Sequence, residues 1–264
     1  MRVLFIGDIV GQPGRRAVRE LAPRLRRQEQ IDLIVANGEN MAGGSGLTAA
    51  TAREIFEAGV DVITTGDHVW DHKEAAAYLQ EEQRVLRPLN YPAGAPGHGW
   101  VVIEVPGISS LAVINLQGRT FLPTLEDPFR MVEEVITQMR SRARAILVDF
   151  HAEATSEKAA LAWMLDGRVS AVVGTHTHVQ TADEKILPGG TAFLTDAGFT
   201  GPHHSVIGRK IEPVLQRFRT GLPQRFEVAK GDIRLQGVLI DIDGATGRAT
   251  AIRRVNEPLT SGDD

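Results

Sequence analysis

The side chains best suited to chemistry are His176 and His178, two imidazoles separated by one threonine in GTHTHVQ, residues 174–180. They follow an apolar, β-branched run at residues 169–173, VSAVV, that reads as a buried parallel strand. In extended backbone, residues two apart point to the same face, roughly 6–7 Å apart. Imidazoles so placed can converge on one metal ion, or on two ions about 3.5–4 Å apart. Standing alone, the pair is most simply read as two histidines in a polar loop. Other strand ends change that weighting. Asp8 follows the first run, and Glu39 and Asn40 follow the second in ANGEN. Asp67, His68 and Asp71 follow the third in TTGDHVWD, and His151 closes a later run in DFHAEAT. Ligands of open α/β sheets gather beyond the carboxyl ends of strands, which is where all of these fall.

Each residue also has a plain packing explanation. A carboxylate at a strand end commonly caps a helix or forms a turn, which suits Asp71 well and Asp8 less. Asn40 can serve as a turn residue ahead of Gly43, Gly44 and Gly46, themselves a weak phosphate-loop signal. His72 is expected to decorate a helix one turn after His68. His98, His203 and His204 fall in loops and rank below the strand-end set as substrate contacts, while Arg119 follows another strand end in NLQGRTFLP and can meet substrate or anchor a loop. Five strand ends bearing oxygen or nitrogen donors exceed what packing alone would produce.

Imidazole among the donors argues against Ca²⁺ and Mg²⁺, and the oxygens without thiolates argue against Cu(I) and iron–sulfur centres. Mn²⁺, Fe²⁺ and Zn²⁺ remain. Six or seven ligands are too many for one tetrahedral ion and suit two ions sharing a carboxylate.

Such donors need a rigid frame. Strand-like runs recur at residues 3–6, 33–36, 62–65, 101–105, 111–116, 145–150, 169–173 and 192–195. Amphipathic helical patterns lie at 13–27, 48–58, 72–82, 128–140, 156–165 and 209–218. Alternation of the two predicts parallel βαβ units. Residues 100–116 hold two adjacent strands, and residues 225–253 hold three strand-like runs with turns at 230–232 and 243–244, which predicts antiparallel hairpins. The expected fold is a four-layer α/β/β/α sandwich with two mixed sheets in one domain over residues 1–264, with 256–264 a frayed tail. The 264 residues suffice for one large core. A net charge of −4 disfavours a general electrostatic grip on nucleic acid. With no cysteine, disulfides and thiolate chemistry are excluded, which fits a cytoplasmic protein. No apolar run approaches the ~20 residues of a membrane span.

The order of motifs resembles the calcineurin-like metallophosphoesterase superfamily: an N-terminal GD, a GNH-type segment, a lone histidine, then GHxH-type histidines. GDIVG, ANGENMAGGSG, GDHVWD, NLQGRTF, DFHAEATSEK, GTHTHVQTAD and TDAGFTGP together resemble its YmdB-like cyclic-nucleotide phosphodiesterase branch over nearly the whole chain. In that branch DIV stands in place of DxH, and NGEN in place of GDxxD. The resemblance implies that Asp8, Glu39, Asn40 and His178 hold one divalent ion. Glu39 would bridge to a second, completed by Asp67, His151 and His176, with Fe²⁺/Fe³⁺ or Mn²⁺ ahead of Zn²⁺. His68 would stay free beside the phosphate. The implied reaction opens a 2′,3′- or 3′,5′-cyclic nucleotide to a monophosphate, with a bridging hydroxide attacking and His68 as general acid. The family carries Asn where this chain has Asp67, which keeps the oxygen and adds a negative charge. A 5′-nucleotidase-type phosphomonoesterase and a non-catalytic nucleotide- or RNA-binding regulator are the competing expectations. Homo-oligomerisation is left open.

Overall fold

In β1 (Arg2–Ile6), Val3 and Phe5 enter one apolar core while Leu4 and Ile6 enter another, and all four are fully buried. A strand whose two faces are both covered is a central strand, and this alternation organises the whole molecule. The computed structural model describes residues 1–105, 107 and 109–260. After β1 come β2 (Asp8–Ile9), α1 (Gly11–Gln28), β3 (Leu33–Asn37), α2 (Ala49–Glu57), β4 (Val62–Thr64), α3 (Ala75–Glu81) and β5 (Val85–Leu86). The middle holds β6 (Trp100–Val105), β7 (Ser109–Gln117), α4 (Pro128–Met139), β8 (Ala145–His151), α5 (Thr155–Met164) and β9 (Ala171–Thr175). The chain continues through β10 (Lys185–Ile186), β11 (Ala192–Leu194), β12 (Phe199–Pro202), α6 (Ile211–Thr220), β13 (Ile233–Ile242) and β14 (Ala249–Pro258).

The first sheet runs β2-β12-β13-β1-β3-β4-β5, with β14 also paired to β13; the second runs β10-β11-β9-β8-β7-β6. Both are mixed: β1, β3, β4 and β5 are parallel and β13 antiparallel, while β7, β8, β9 and β11 are parallel with β6 antiparallel at the edge. Val3, Phe5 and Val35 of the first sheet meet Leu111, Val113 and Leu147 of the second in the central core. The outer face of the first sheet is covered by α1, α2 and α3 through Leu21, Ile55 and Leu79. The outer face of the second is covered by α4 and α5 through Ile136 and Leu161. This is the expected α/β/β/α sandwich. Truncating Phe5, which fills the space between the sheets, to alanine would cost about 3–5 kcal/mol.

Local signals explain several boundaries. Thr48 caps α2 in a reciprocal pair with Thr51, Thr51 N donating to Thr48 Oγ1 (3.2 Å) and Thr48 N to Thr51 Oγ1 (2.9 Å). Asp127 caps α4 through Phe129 N (2.9 Å), with Pro128 opening the helix. Two expectations need correction at the C-terminal end. Residues 225–229 form no strand; a single bridge joins Val228 to Arg209. Asn256, Glu257 and Pro258, expected in a loose tail, pair with Gln236, Leu235 and Arg234. The strand persists because β13 offers a ten-residue partner whose one edge is taken by β1 and β12 in succession, leaving the other edge to β14. Residues 261–264 of the expected tail lie outside the described residues. No helix among the described residues is long and apolar enough to cross a membrane.

Candidate metal centre

Parallel pairing brings the carboxyl ends of β1, β3 and β4 to the same end of the sandwich as those of β8 and β9. The first sheet delivers Asp8, Glu39, Asn40, Asp67 and His68 there; the second delivers His151, His176 and His178. They fall into two groups. Glu39, Asp67, His151 and His176 form one, with donor atoms all within 4.8 Å of one another; Asp8, Glu39 and His178 form the other. Glu39 belongs to both.

In the first group His151 Nε2 lies 3.1 Å from Glu39 Oε2, 3.1 Å from Asp67 Oδ1 and 3.0 Å from His176 Nδ1. In the second, His178 Nε2 is 3.7 Å from Asp8 Oδ1 and 3.3 Å from Asn40 Nδ2, which donates to Glu39 Oε1 (2.8 Å). The amide nitrogen of Asn40 thus faces the group, and a half turn of the amide brings its oxygen there. Gly66 keeps the centre open, because a Cβ at that position would stand 2.2 Å from His151 Nε2 and 2.3 Å from Glu39 Oε2.

The electrostatics call for positive charge at this point. Asp8, Glu39 and His151 are buried, and Asp8 Oδ1 has no hydrogen-bond partner. Burial raises the Asp8 carboxyl above its usual range. Burial also acts on Glu39 and Asp67, but His151 overcomes it in both, and each is held below the usual carboxylate range. His151 bears the desolvation cost of its own burial and is still raised well above an ordinary imidazole by Glu39 and Asp67. A nitrogen facing nitrogen and two carboxylates needs a cation between them, a proton or a metal ion. The mixture of imidazole and oxygen donors fits a transition-metal dication.

Each imidazole is held from behind. His151 Nδ1 meets Thr175 Oγ1 (2.9 Å), which donates to Asp149 Oδ1 (2.7 Å). His176 Nε2 meets Glu153 Oε2 (3.3 Å), and His178 Nδ1 meets Ile207 O (3.1 Å). Such outer contacts fix which ring nitrogen faces the centre. Asp149, whose burial raises it to about 6, also accepts from Asn37 Nδ2 (3.1 Å) and Thr64 Oγ1. The two sheets are thereby joined directly beneath the site.

The histidine pair is built differently from the extended expectation. The strand stops at Thr175, and both histidines take left-handed backbone, φ 99° at His176 and 61° at His178. Their rings consequently part, one to each group. Between them, Thr177 donates from N (3.1 Å) and Oγ1 (2.8 Å) to Asp196 Oδ2, which also accepts from the fully buried Lys158 (2.7 Å). Gly174 is required just before, since a Cβ there would meet Thr195 O at 1.8 Å.

His68 joins neither group. Its Nδ1 meets Asp71 Oδ2 (3.0 Å), Asp71 accepts from Ser45 Oγ, and the ring lines a cavity of about 460 Å³ with Glu39, Asn40, His176 and His178. A larger cavity of about 560 Å³, beside Gln12, Arg225 and Lys230, holds none of these donors. His72 meets Ser45 O (3.0 Å), before helix α3 begins, and so anchors the glycine-rich loop. His203 stacks behind Phe199, 4.3 Å between ring centres, and Phe199 stacks on His178 at 5.4 Å. Arg119 pairs with Asp127 and, like His98 and His204, does not line the cavity. Asp71 and Glu153 are not assigned as partners by the sequence; the spacing of three from His68 is a signal for Asp71, whereas Glu153 meets His176 from 23 positions away, which no local spacing announces.

A two-sheet sandwich whose strand ends converge on such a donor cluster defines a metallophosphoesterase, and the protein is a hydrolase of phosphoric esters. The model of the YmdB-like proteins matches residues 4–255, and the chain belongs to that family. It is 51% identical, over 97% of this chain and 96% of the relative, to the 2′,3′-cyclic-nucleotide 2′-phosphodiesterase of Bacillus subtilis strain 168. A solved structure of a hypothetical protein from Thermus thermophilus superposes with a TM-score of 0.92 at 48% identity, covering 98% of this chain and 99% of that one. A solved phosphatase from Mycoplasma pneumoniae gives 0.91 at 34% identity, covering 98% and 93%.

Proposed function

We propose that this end of the sandwich holds two divalent ions and hydrolyses 2′,3′-cyclic nucleotides to nucleoside 3′-monophosphates. The supporting observation is Glu39, whose carboxylate is shared by both donor groups. Asp8, Asn40 and His178 would complete one position, and Asp67, His151 and His176 the other. The nitrogen and oxygen donors are compatible with Fe²⁺/Fe³⁺, Mn²⁺ or Zn²⁺, and the family resemblance puts iron or manganese first. Such ions, when bound, supply Lewis acidity and a water that ionises near neutral pH. The chain supplies the rest. With Nδ1 of His68 engaged by Asp71, Nε2 is left for the ester. As water adds to phosphorus and the P–O2′ bond breaks, His68 delivers a proton to O2′. The buried frame of Asp149, Thr175 and Asn37 holds His151 in one orientation throughout. The substrate class comes from the activity of the Bacillus subtilis relative.

The test supplies metal-replete protein with 2′,3′-cyclic AMP, 3′,5′-cyclic AMP and 5′-AMP. Conversion of the first to 3′-AMP is the expected result. Phosphate release from 5′-AMP without ring opening would instead identify a nucleotidase, and binding without turnover a regulator.

A further inference from the structure

The 460 Å³ cavity that the donors line also has an apolar lining, formed by Val206, Ile207, Val214, Phe218 and Phe226. Its volume falls in the range of small-ligand sites, ~300–1,000 Å³. Three of its apolar residues are exposed, Phe218 at 83%, Ile207 at 50% and Phe226 at 38%, and two of them are aromatic. Of the residues of α6, Val214 alone is buried, so the helix does not use Phe218 to hold itself to the sandwich.

The Phe226 side of this wall is fixed relative to the donors. Arg209 Nη1 donates to Phe226 O (3.4 Å) and Nη2 to Gly44 O, tying the Phe226 segment to the loop that follows Asn40. Lys210 N donates to Glu227 O (3.0 Å) and Ala229 N to Gly208 O (2.9 Å), securing the same segment along its length. The Arg217 guanidinium carbon lies 5.8 Å from the centre of the Phe226 ring. A ring held in place at Phe226 and an exposed ring at Phe218, both lining the cavity that the donors line, offer a stacking platform.

We propose that Phe218 and Phe226 form the base subsite, so that a cyclic nucleotide lies with its phosphate at the donors and its base on these rings. This rests on the reading of the site as a nucleotide phosphodiesterase. Arg209 apart, the side chains of this wall carry no hydrogen-bonding group to read a base edge. Stacking uses the π-face that every base possesses, so purines and pyrimidines are both accepted, the larger purines more tightly. The substrate is thus defined as a cyclic phosphate bearing a flat aromatic group, not as one particular nucleotide.

The test measures binding to metal-loaded protein by calorimetry, using 3′-AMP and 1-O-methylribose 3-phosphate, which has the same sugar phosphate and no base. Wild-type protein is expected to bind 3′-AMP the more tightly. Phe218→Ala and Phe226→Ala should each shrink that preference by about 5–150-fold, the range for loss of one aromatic–base stack. Phe218→Trp should retain it. Equal affinity of the wild type for the two ligands, an unchanged preference in both alanine variants, or equal loss on both ligands overturns the proposal. Ile211, Leu215 and Leu222 are also exposed on or beside α6, so a second copy is the rival occupant. A dimer that Phe218→Ala dissociates without changing the preference for 3′-AMP assigns the ring to that interface instead. Hydrolysis is read separately: a base-dependent preference without turnover of 2′,3′-cyclic AMP sinks the phosphodiesterase reading and leaves the base subsite standing.

Discussion

The two sheets bring different chemistry to their common end. The first contributes the oxygen donors Asp8, Glu39 and Asp67, the amide Asn40, and His68; the second contributes only imidazoles, His151, His176 and His178. Neither sheet holds a complete group by itself, since every donor cluster draws carboxylates from one and imidazoles from the other. The site is therefore a property of the seam between the sheets. The buried contacts of Asn37 and Thr64 with Asp149, and of Asn115 Oδ1 with Thr65 N (3.0 Å), keep that seam in register.

The sharpest way to break this picture is at the one residue common to both groups. Glu39→Gln should abolish turnover and deplete both ions in elemental analysis, whereas His178→Ala should mainly loosen one. Loss of a single ion from the Glu39 variant would mean that the groups do not share it. Next in size is His68, the first-sheet residue outside both groups. His68→Ala should keep its metal and lose on the order of 10²–10⁴-fold in rate, and less on a nitrophenolate ester, whose leaving group needs no proton. Equal losses on both substrates would remove it from the leaving group.

The seam itself is tested by Asp149→Asn, which sets an amide donor against Asn37 Nδ2. Leaving a buried donor unsatisfied costs about 1–3 kcal/mol, visible in thermal melts of metal-free protein. Metal affinity at the His151 position should fall ~10–100-fold, as for other losses behind a ligand. A variant that melts lower but binds metal normally would separate the frame from the site. A smaller effect is expected at Asp67. With Asp8 and Glu39 it gives three negative charges, and Asp67→Asn leaves two. The affinity for the second ion should fall by up to ~10-fold, an upper bound taken from the weaker ligand perturbations. Unchanged affinity in a metal titration would show that His151 and His176 already neutralise this carboxylate.

Smallest is a control at the far end of the first sheet, where Arg2 Nε donates to Asp241 Oδ1 (2.7 Å). Its hydrogen bond and charge hold the Asp241 carboxyl below the usual range. A carboxyl depressed in the folded state adds stability above its unfolded value of ~3.9, and that stability is lost as pH falls through the folded value. Arg2→Ala should thus cost no more than ~1 kcal/mol at neutral pH, with its melting deficit closing as pH drops below ~4, and metal content should not change.

The donors were legible because each stands beside an apolar run that ends abruptly, as Asp8 does after Ile6 and His151 after Phe150. A run of buried β-branched residues announces a strand, and a polar residue just beyond it announces the end where ligands collect. The layering followed from the same runs. What did not follow were features that depend on remote partners. The pairing of β13 beside β1 joins residues more than two hundred positions apart. The left-handed backbone at His176 and His178 accompanies the bonding of Thr177 to Asp196, a remote partner that no local pattern announces. The run at 225–229 alternates like a strand but lies against Arg209 and Lys210 with only one bridge, so nothing extends it into a sheet. Phe218 sits in an amphipathic helix, where a phenyl ring is ordinarily assigned to the core; its exposure is visible only in three dimensions.

The most direct test of a seam-built dinuclear site is anomalous diffraction from crystals loaded with Mn²⁺. Two peaks are expected about 3.5–4 Å apart, with one Glu39 oxygen on each. His178 should contact one peak, and His151 and His176 the other. A single peak, or two peaks of which only one touches Glu39, would contradict the shared-carboxylate site.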